Sequence, residues 1–76
     1  MASMQYPIVD LEATGTRISE LRKAKGLSVK DICDITGVTV QAVYHWQYGK
    51  KLPSIDNLVI LASIFEVTMD EIVVTR

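Results

Sequence analysis

The stretch "ICDITGVTVQAVYHW", residues 32–46, decides the fold. Two segments of helical periodicity meet at Gly37 with almost no chain between them. A joint that short forces the two helices to cross steeply, so the residue at the crossing must be small and its neighbours apolar. Cys33, four residues before the glycine, fills the crossing, and Ile32, Val38, Val43 and Trp46 supply the buried face. Gly37 itself ends the first helix, because glycine enters the left-handed conformation of a C-cap without steric cost.

Working outward, the same helix-start pattern recurs four times. An apolar residue or proline precedes Ser28, Thr39, Ser54 and Thr68, and an apolar residue follows each hydroxyl four positions later. This is an N-cap with a hydrophobic staple: the side-chain oxygen accepts from a free amide while the staple fixes the entry angle. Ser28 with Asp31 and Thr68 with Glu71 add the acid of a capping box. Gly26 and Gly49 mark two further helix ends, and Ile18 and Leu21 share a face of an earlier helix. The pattern predicts an all-α domain over residues 14–76, with five short helices at about 14–25, 29–36, 40–48, 55–65 and 69–73. Residues 1–13 read as an N-terminal arm, with Met1-Ala2-Ser3 a cloning remnant. Tyr6 to Leu11 alternates in part and is matched to Ile72-Val73-Val74 as a short two-stranded clip between the termini.

Seventy-six residues hold one domain with a single small core. A single cysteine excludes an internal disulfide framework and fits a reducing, cytoplasmic setting. No apolar run approaches the roughly 18 residues of a membrane span, and no basic-then-apolar leader opens the chain. A membrane partner is therefore not expected.

The net charge of −1 conceals a segregation. Residues 14–53 carry seven cations (Arg17, Arg22, Lys23, Lys25, Lys30, Lys50, Lys51) against three carboxylates, whereas the remainder carries Arg76 against six. Binding follows the local field, so the basic middle is either a footprint for a polyanion or a solvated face; charge alone does not separate the two. The third helix sharpens the question. At about 100° per residue, Ala42, Val43 and Trp46 fall on one side, and Val40, Gln41, Tyr44, His45 and Tyr48 span the other. That outward face has no carboxylate to repel phosphate.

The spacing of Ile32, Cys33, Gly37, Val38, Val43 and Trp46 is that of a DNA-binding helix-turn-helix; an arbitrary helical hairpin shares the glycine but has no need of the whole set. From Gly15 to Ile72 the chain resembles the lambda-repressor-like, Cro/cI-type helix-turn-helix domain of the XRE family. The pieces that carry the likeness are "RISELRKAKGLS", "GV" before the third helix, Trp46 three residues before "GKK", "LPS" and "VTMDEI". The resemblance implies a five-helix bundle whose third helix lies in the major groove of double-stranded DNA. It further implies a bacterial or phage transcriptional regulator, nucleoid-associated, with repression the expected sense.

By this resemblance Val40, Gln41, Tyr44 and His45 are base-facing, with Tyr48 beside them. Gln41 suits a bidentate contact to adenine, worth about 1–3 kcal/mol of discrimination. Val40 suits a thymine methyl, His45 a guanine or a phosphate, and the tyrosines a phosphate or the groove wall. Phosphate contacts are expected from Lys50 and Lys51, from Arg22, and from the starts of the second and fourth helices near Ser28, Lys30 and Asn57. The chain departs from the family pattern at Gln47, where many relatives place a Glu that pairs with the arginine matching Arg22. A neutral amide there leaves no ion pair and leaves Arg22 freer to face phosphate.

Helix four carries a core stripe of Leu58, Leu61, Ala62 and Phe65, with Ile60 and Ile64 read as lying off it. Either the arm (Tyr6, Ile8, Val9, Leu11) covers that ridge, or a second subunit does, through a homodimer interface that includes Val73 and Val74. The competing function is a protein-interaction module, an antitoxin or assembly domain, working through the same ridge. An enzyme is not expected: Cys33 and His45 are the only strong nucleophile and base, and Cys33 is committed to the crossing. One Cys and one His cannot build a zinc site, and no cofactor or small-molecule ligand is expected.

Overall fold

The structure is a computed structural model that describes residues 7–76. Met1 to Ser3 and Tyr6, singled out in the sequence, lie outside the described residues. Five helices follow one another: α1 (Leu11–Ala24), α2 (Val29–Thr36), α3 (Val40–Gln47), α4 (Ile55–Phe65) and α5 (Met69–Ile72).

All four hydroxyl caps are made, each side chain accepting from the amide three residues on. Ser28 with Asp31 and Thr68 with Glu71 close reciprocal capping boxes. A cap of this kind contributes about 1 kcal/mol, which matters for helices as short as α2 and α3. The hydrogen bonds from Ser28 hold the Asp31 carboxyl below the usual carboxylate range. Glu66 is likewise lowered by its bond to Lys25, at 2.7 Å. Both shifts are downward, so their small contribution to stability is present at neutral pH and lost as pH falls through the lowered values.

α1 begins three residues before the expected Thr14. Asp10 caps it, accepting from the Ala13 amide at 2.9 Å, a signal that a Ser/Thr pattern does not catch. Leu11 to Ala13 are therefore helix, not arm. The clip is reduced to a single antiparallel bridge, Val9 to Thr75, flanked by Asp10 N–H to the Val74 carbonyl (2.8 Å) and Arg76 N–H to the Ile8 carbonyl (2.9 Å). Its C-terminal partners are Val74 to Arg76, not Ile72 to Val74, because Ile72 still belongs to α5 and is buried in the core. Fully buried Thr14 reinforces the clip, its hydroxyl accepting from the Val74 amide at 2.9 Å.

Every helix feeds one core: Ile18, Ile32, Val43, Trp46, Leu58, Leu61, Phe65 and Ile72. Cys33 and Val38 pack against its edge, as the crossing of α2 and α3 requires. Gly37 has a φ of 77°, and its amide donates to the Cys33 carbonyl at 2.8 Å. Of the four glycines, Gly15 has the closest surroundings. At Gly15, a Cβ would collide with the Trp46 carbonyl oxygen and stand 2.6 Å from that of Gln47. Backbone therefore meets backbone where α1 crosses the last turn of α3, and this fixes how α3 is presented.

Candidate nucleic-acid interface

Burial of Val43 and Trp46 pins one side of α3 to the core and turns the other outward. On that side Val40, Gln41, Tyr44 and Tyr48 are exposed and His45 is half-buried. The Tyr44 and Tyr48 rings stack one turn apart, with centroids 5.9 Å apart and planes 11° from parallel. They form one aromatic plate beside the amide of Gln41. α3 contains no carboxylate, so the face offers amide, imidazole, phenol and methyl groups to a polyanion without charge repulsion.

The turn after α3 is tied back to it. The amides of Lys50 and Lys51 both donate to the His45 carbonyl, at 2.8 and 3.3 Å, while both side chains stay exposed. The loop is thus set by hydrogen bonds, and its two ammonium groups remain available.

Arg22 differs from the expectation drawn from Gln47. The neutral amide does not free it: Arg22 Nε donates to Gln47 Oε1 at 2.9 Å, and Nη1 donates to the Leu27 carbonyl at 2.8 Å. A glutamine oxygen accepts from a guanidinium as a carboxylate does, without the charge. The guanidinium is held half-buried against α3, and among the described residues no acceptor engages Nη2.

The helix starts are less available than the sequence suggests. The Ser28 amide is taken by the Asp31 carboxylate at 2.8 Å, and its hydroxyl accepts from the Asp31 amide at 3.0 Å. The capping box therefore places an anion at the start of α2. Lys30 pairs with Asp34 one turn on at 3.1 Å, a hydrogen bond and charge that hold its proton more tightly. Both groups are exposed, so the pair is weak and Lys30 can exchange it for another anion. Asn57 is half-buried at the start of α4, and its amide donates to Ser54 Oγ at 3.3 Å.

The apolar ridge also changes place. Ile64 packs against the core, Ile60 is half-buried, Val73 joins the core edge, and both backbone groups of Val74 are engaged in the clip. Of the described arm residues, Ile8 is exposed and Val9 half-buried, and Leu11, now the first residue of α1, is exposed. The large apolar groups left in solvent on and before α4 are Leu52, Ile55 (68% exposed) and Val59 (52% exposed). Ile55 and Val59 lie on the flank of α4 opposite Ile60 and Ile64, and Leu52 lies in the loop before the helix.

One feature of the surface escaped the sequence reading. An open cleft of about 490 Å³ runs between α1 and α3, lined by Thr16, Ser19, Glu20, Arg22 and Lys23 on one side and Tyr44, Gln47 and Tyr48 on the other. Its signal was present as hydroxyl, hydroxyl and lysine at 16, 19 and 23, a spacing that falls on one helical face. Among the described residues, no group of acids, histidine and cysteine is placed to hold a metal ion, and no helix is long and apolar enough to cross a membrane.

A family model described as helix-turn-helix matches residues 18–72, which includes all of α2 through α5. The chain belongs to the helix-turn-helix family. It is similar to the HTH-type transcriptional regulator AnsR of Bacillus subtilis, 34% identical over 56 residues that cover 74% of this chain and 48% of that protein. It is also 30% identical over 73 residues to a putative HTH-type transcriptional regulatory protein of Pyrococcus furiosus, covering 87% of this chain and 23% of the other. The chain thus spans half or less of these relatives. Among solved structures it resembles the restriction-modification controller protein C.AhdI from Aeromonas hydrophila (TM-score 0.74, 32% identity), over 83% of this chain and 96% of that one. The clp gene regulator ClgR from C. glutamicum matches with the same TM-score at 16% identity, over 91% and 88%, and supports the fold alone. The lambda-repressor-like, all-α architecture expected from the sequence is the one observed.

Proposed function

We propose that this helix-turn-helix chain binds double-stranded DNA sequence-specifically and regulates transcription, with α3 in the major groove. The observation that carries the reading is the outward face of α3: Gln41, Tyr44 and His45 with no carboxylate, followed by two exposed lysines on a tied turn. Gln41 reads a base edge, Val40 packs on a thymine methyl, and Tyr44, Tyr48 and His45 complete the contact. Lys50, Lys51 and Arg22 grip phosphates, which set affinity and register rather than sequence choice. Relatives named as transcriptional regulators support the same role. The reading assigns the chain no catalysis.

Selection of bound duplexes from a random pool at two ionic strengths tests this. Enrichment of a defined sequence, with affinity that falls as salt rises, is the expected result; no enrichment at either salt would remove the reading. Lys50→Ala with Lys51→Ala is expected to weaken binding alike on all duplexes. Loss of two phosphate contacts should reduce the salt slope by about 1.8. An unchanged slope in anisotropy titrations would show that neither lysine touches DNA.

A second copy of the chain is the partner that fits Leu52, Ile55 and Val59. This strip continues from the Lys50–Lys51 turn, so two copies related by a two-fold axis would present two α3 helices to a palindromic site. Because both side chains are exposed, Ile55→Asp with Val59→Asp should leave the thermal midpoint within a few degrees and halve the mass in sedimentation. A wild-type chain that stays monomeric at every concentration, bound or free, would exclude this pairing and favour the strip as a docking site for a different protein.

A further inference from the structure

We propose that the DNA-binding surface extends onto the first helix: one sugar–phosphate strand seats in the cleft between α1 and α3, held by Lys23, Ser19 and Thr16 as well as Arg22. The inference rests on α3 being the DNA-reading helix and says which strand contacts accompany it.

Position comes first. Tyr44 and Tyr48 lie on the arc of α3 nearer Gln47, the residue that bonds Arg22 of α1. The strand that borders the groove on that side must therefore pass over the cleft once α3 enters the groove. Chemistry agrees with position. The α1 wall carries two hydroxyls, a lysine without an ion-pair partner among the described residues, and Arg22, beside Glu20. All but Glu20 are donors, and Glu20 is the only carboxylate on the wall.

Arg22 is set in advance. Two of its nitrogens are fixed by Gln47 and the Leu27 carbonyl, so little side-chain entropy remains to be lost when Nη2 meets a phosphate oxygen. A guanidinium held against protein also feels less screening than one on a free stem, which strengthens the charge-assisted bond. The stacked tyrosines supply a flat, largely apolar wall on the α3 side, suited to a deoxyribose ring. The cleft is open on its outer side. A small anion would stay hydrated there, whereas a strand is held in place by its contacts to either side.

Two variants on α1 test this, with duplex affinity measured against salt in the full chain. Lys23 is exposed in the last turn of α1 and Ser19 half-buried in mid-helix, so neither substitution should disturb folding, and a thermal melt checks this. Lys23→Ala should lower the salt slope by about 0.9, the value of one phosphate contact, and weaken specific and random duplexes by the same factor. Ser19→Glu should weaken both further. Ethylation interference on the wild type should show a phosphate beyond those read by Lys50, Lys51 and Arg22, and that interference should vanish in Lys23→Ala. A slope unchanged by Lys23→Ala, with Lys50→Ala and Lys51→Ala still flattening it, would overturn the seat and leave the reading of α3 intact. Absence of duplex binding by the wild type would overturn both. Saturation of the Tyr44 resonances by free nucleoside monophosphate, with Lys23→Ala leaving duplex binding unchanged, would give the cleft to a small anion and reject a strand.

Discussion

Replacing Trp46 with alanine is expected to destabilise the chain by about 3–5 kcal/mol, the usual range for deleting a buried tryptophan. Trp46 is 5% exposed and sits in the core shared by all five helices. Domains of this kind have total stabilities of about 5–15 kcal/mol, so the loss takes a large share of the whole. Functional consequences come with it, because Trp46 and Val43 are the residues that hold α3 with its polar face outward. Urea unfolding followed by far-ultraviolet circular dichroism measures the effect, since the variant has no tryptophan to report by fluorescence. A near-native midpoint would show that α3 is anchored by something other than this side chain.

Gly15→Ala is expected to cost about 3 kcal/mol, the upper part of the range for overpacking. The sign is what makes the test sharp. In an unobstructed helix interior, exchanging glycine for alanine stabilises by up to about 1 kcal/mol. Here the added methyl meets the Trp46 and Gln47 carbonyl oxygens, which are backbone atoms and cannot rotate aside. Relief requires α1 and α3 to separate, which would also shift the Arg22–Gln47 bond and the cleft beside it. Duplex affinity should therefore fall together with stability. A variant as stable as the wild type, or more so, would contradict the close approach of the two helices.

The fold was legible in the sequence wherever a local rule governed it. The Ser/Thr caps, the glycine stop at Gly37 and the periodicity of α2 to α4 are each decided by a few adjacent residues, and they fall where expected. The start of α1 lies three residues before Thr14 because an aspartate, Asp10, caps it as a hydroxyl would. Gly15 was opaque for a different reason. A glycine inside a helix looks indifferent until the neighbour that crosses it is known, and that neighbour is more than thirty residues away.

The surface shows the same division. The outward face of α3 follows from helix geometry once Val43 and Trp46 are assigned to the core, so the exposed placement of Gln41 and Tyr44 is legible in the sequence. On α4 the stripe of Leu58, Leu61 and Phe65 was equally clear, but a stripe has two flanks. Which flank is covered depends on packing that no local pattern records. The structure covers Ile64 and exposes Ile55 and Val59. Arg22 illustrates the point in chemistry: reading Gln47 as the loss of a charge missed that its oxygen still accepts.

The central claim is that α3 reads a duplex with an uncharged, hydrogen-bonding face. Its most direct test is a nuclear magnetic resonance titration of the chain with the duplex recovered by selection, at low ionic strength. The Gln41 side-chain amide, the Tyr44 ring and the His45 ring should shift strongly and together, with weaker changes on the flank of α4 that carries Ile60. If those three signals stayed in place while resonances of Leu52, Ile55 and Val59 moved, α3 would not be the reading element and the account would be wrong.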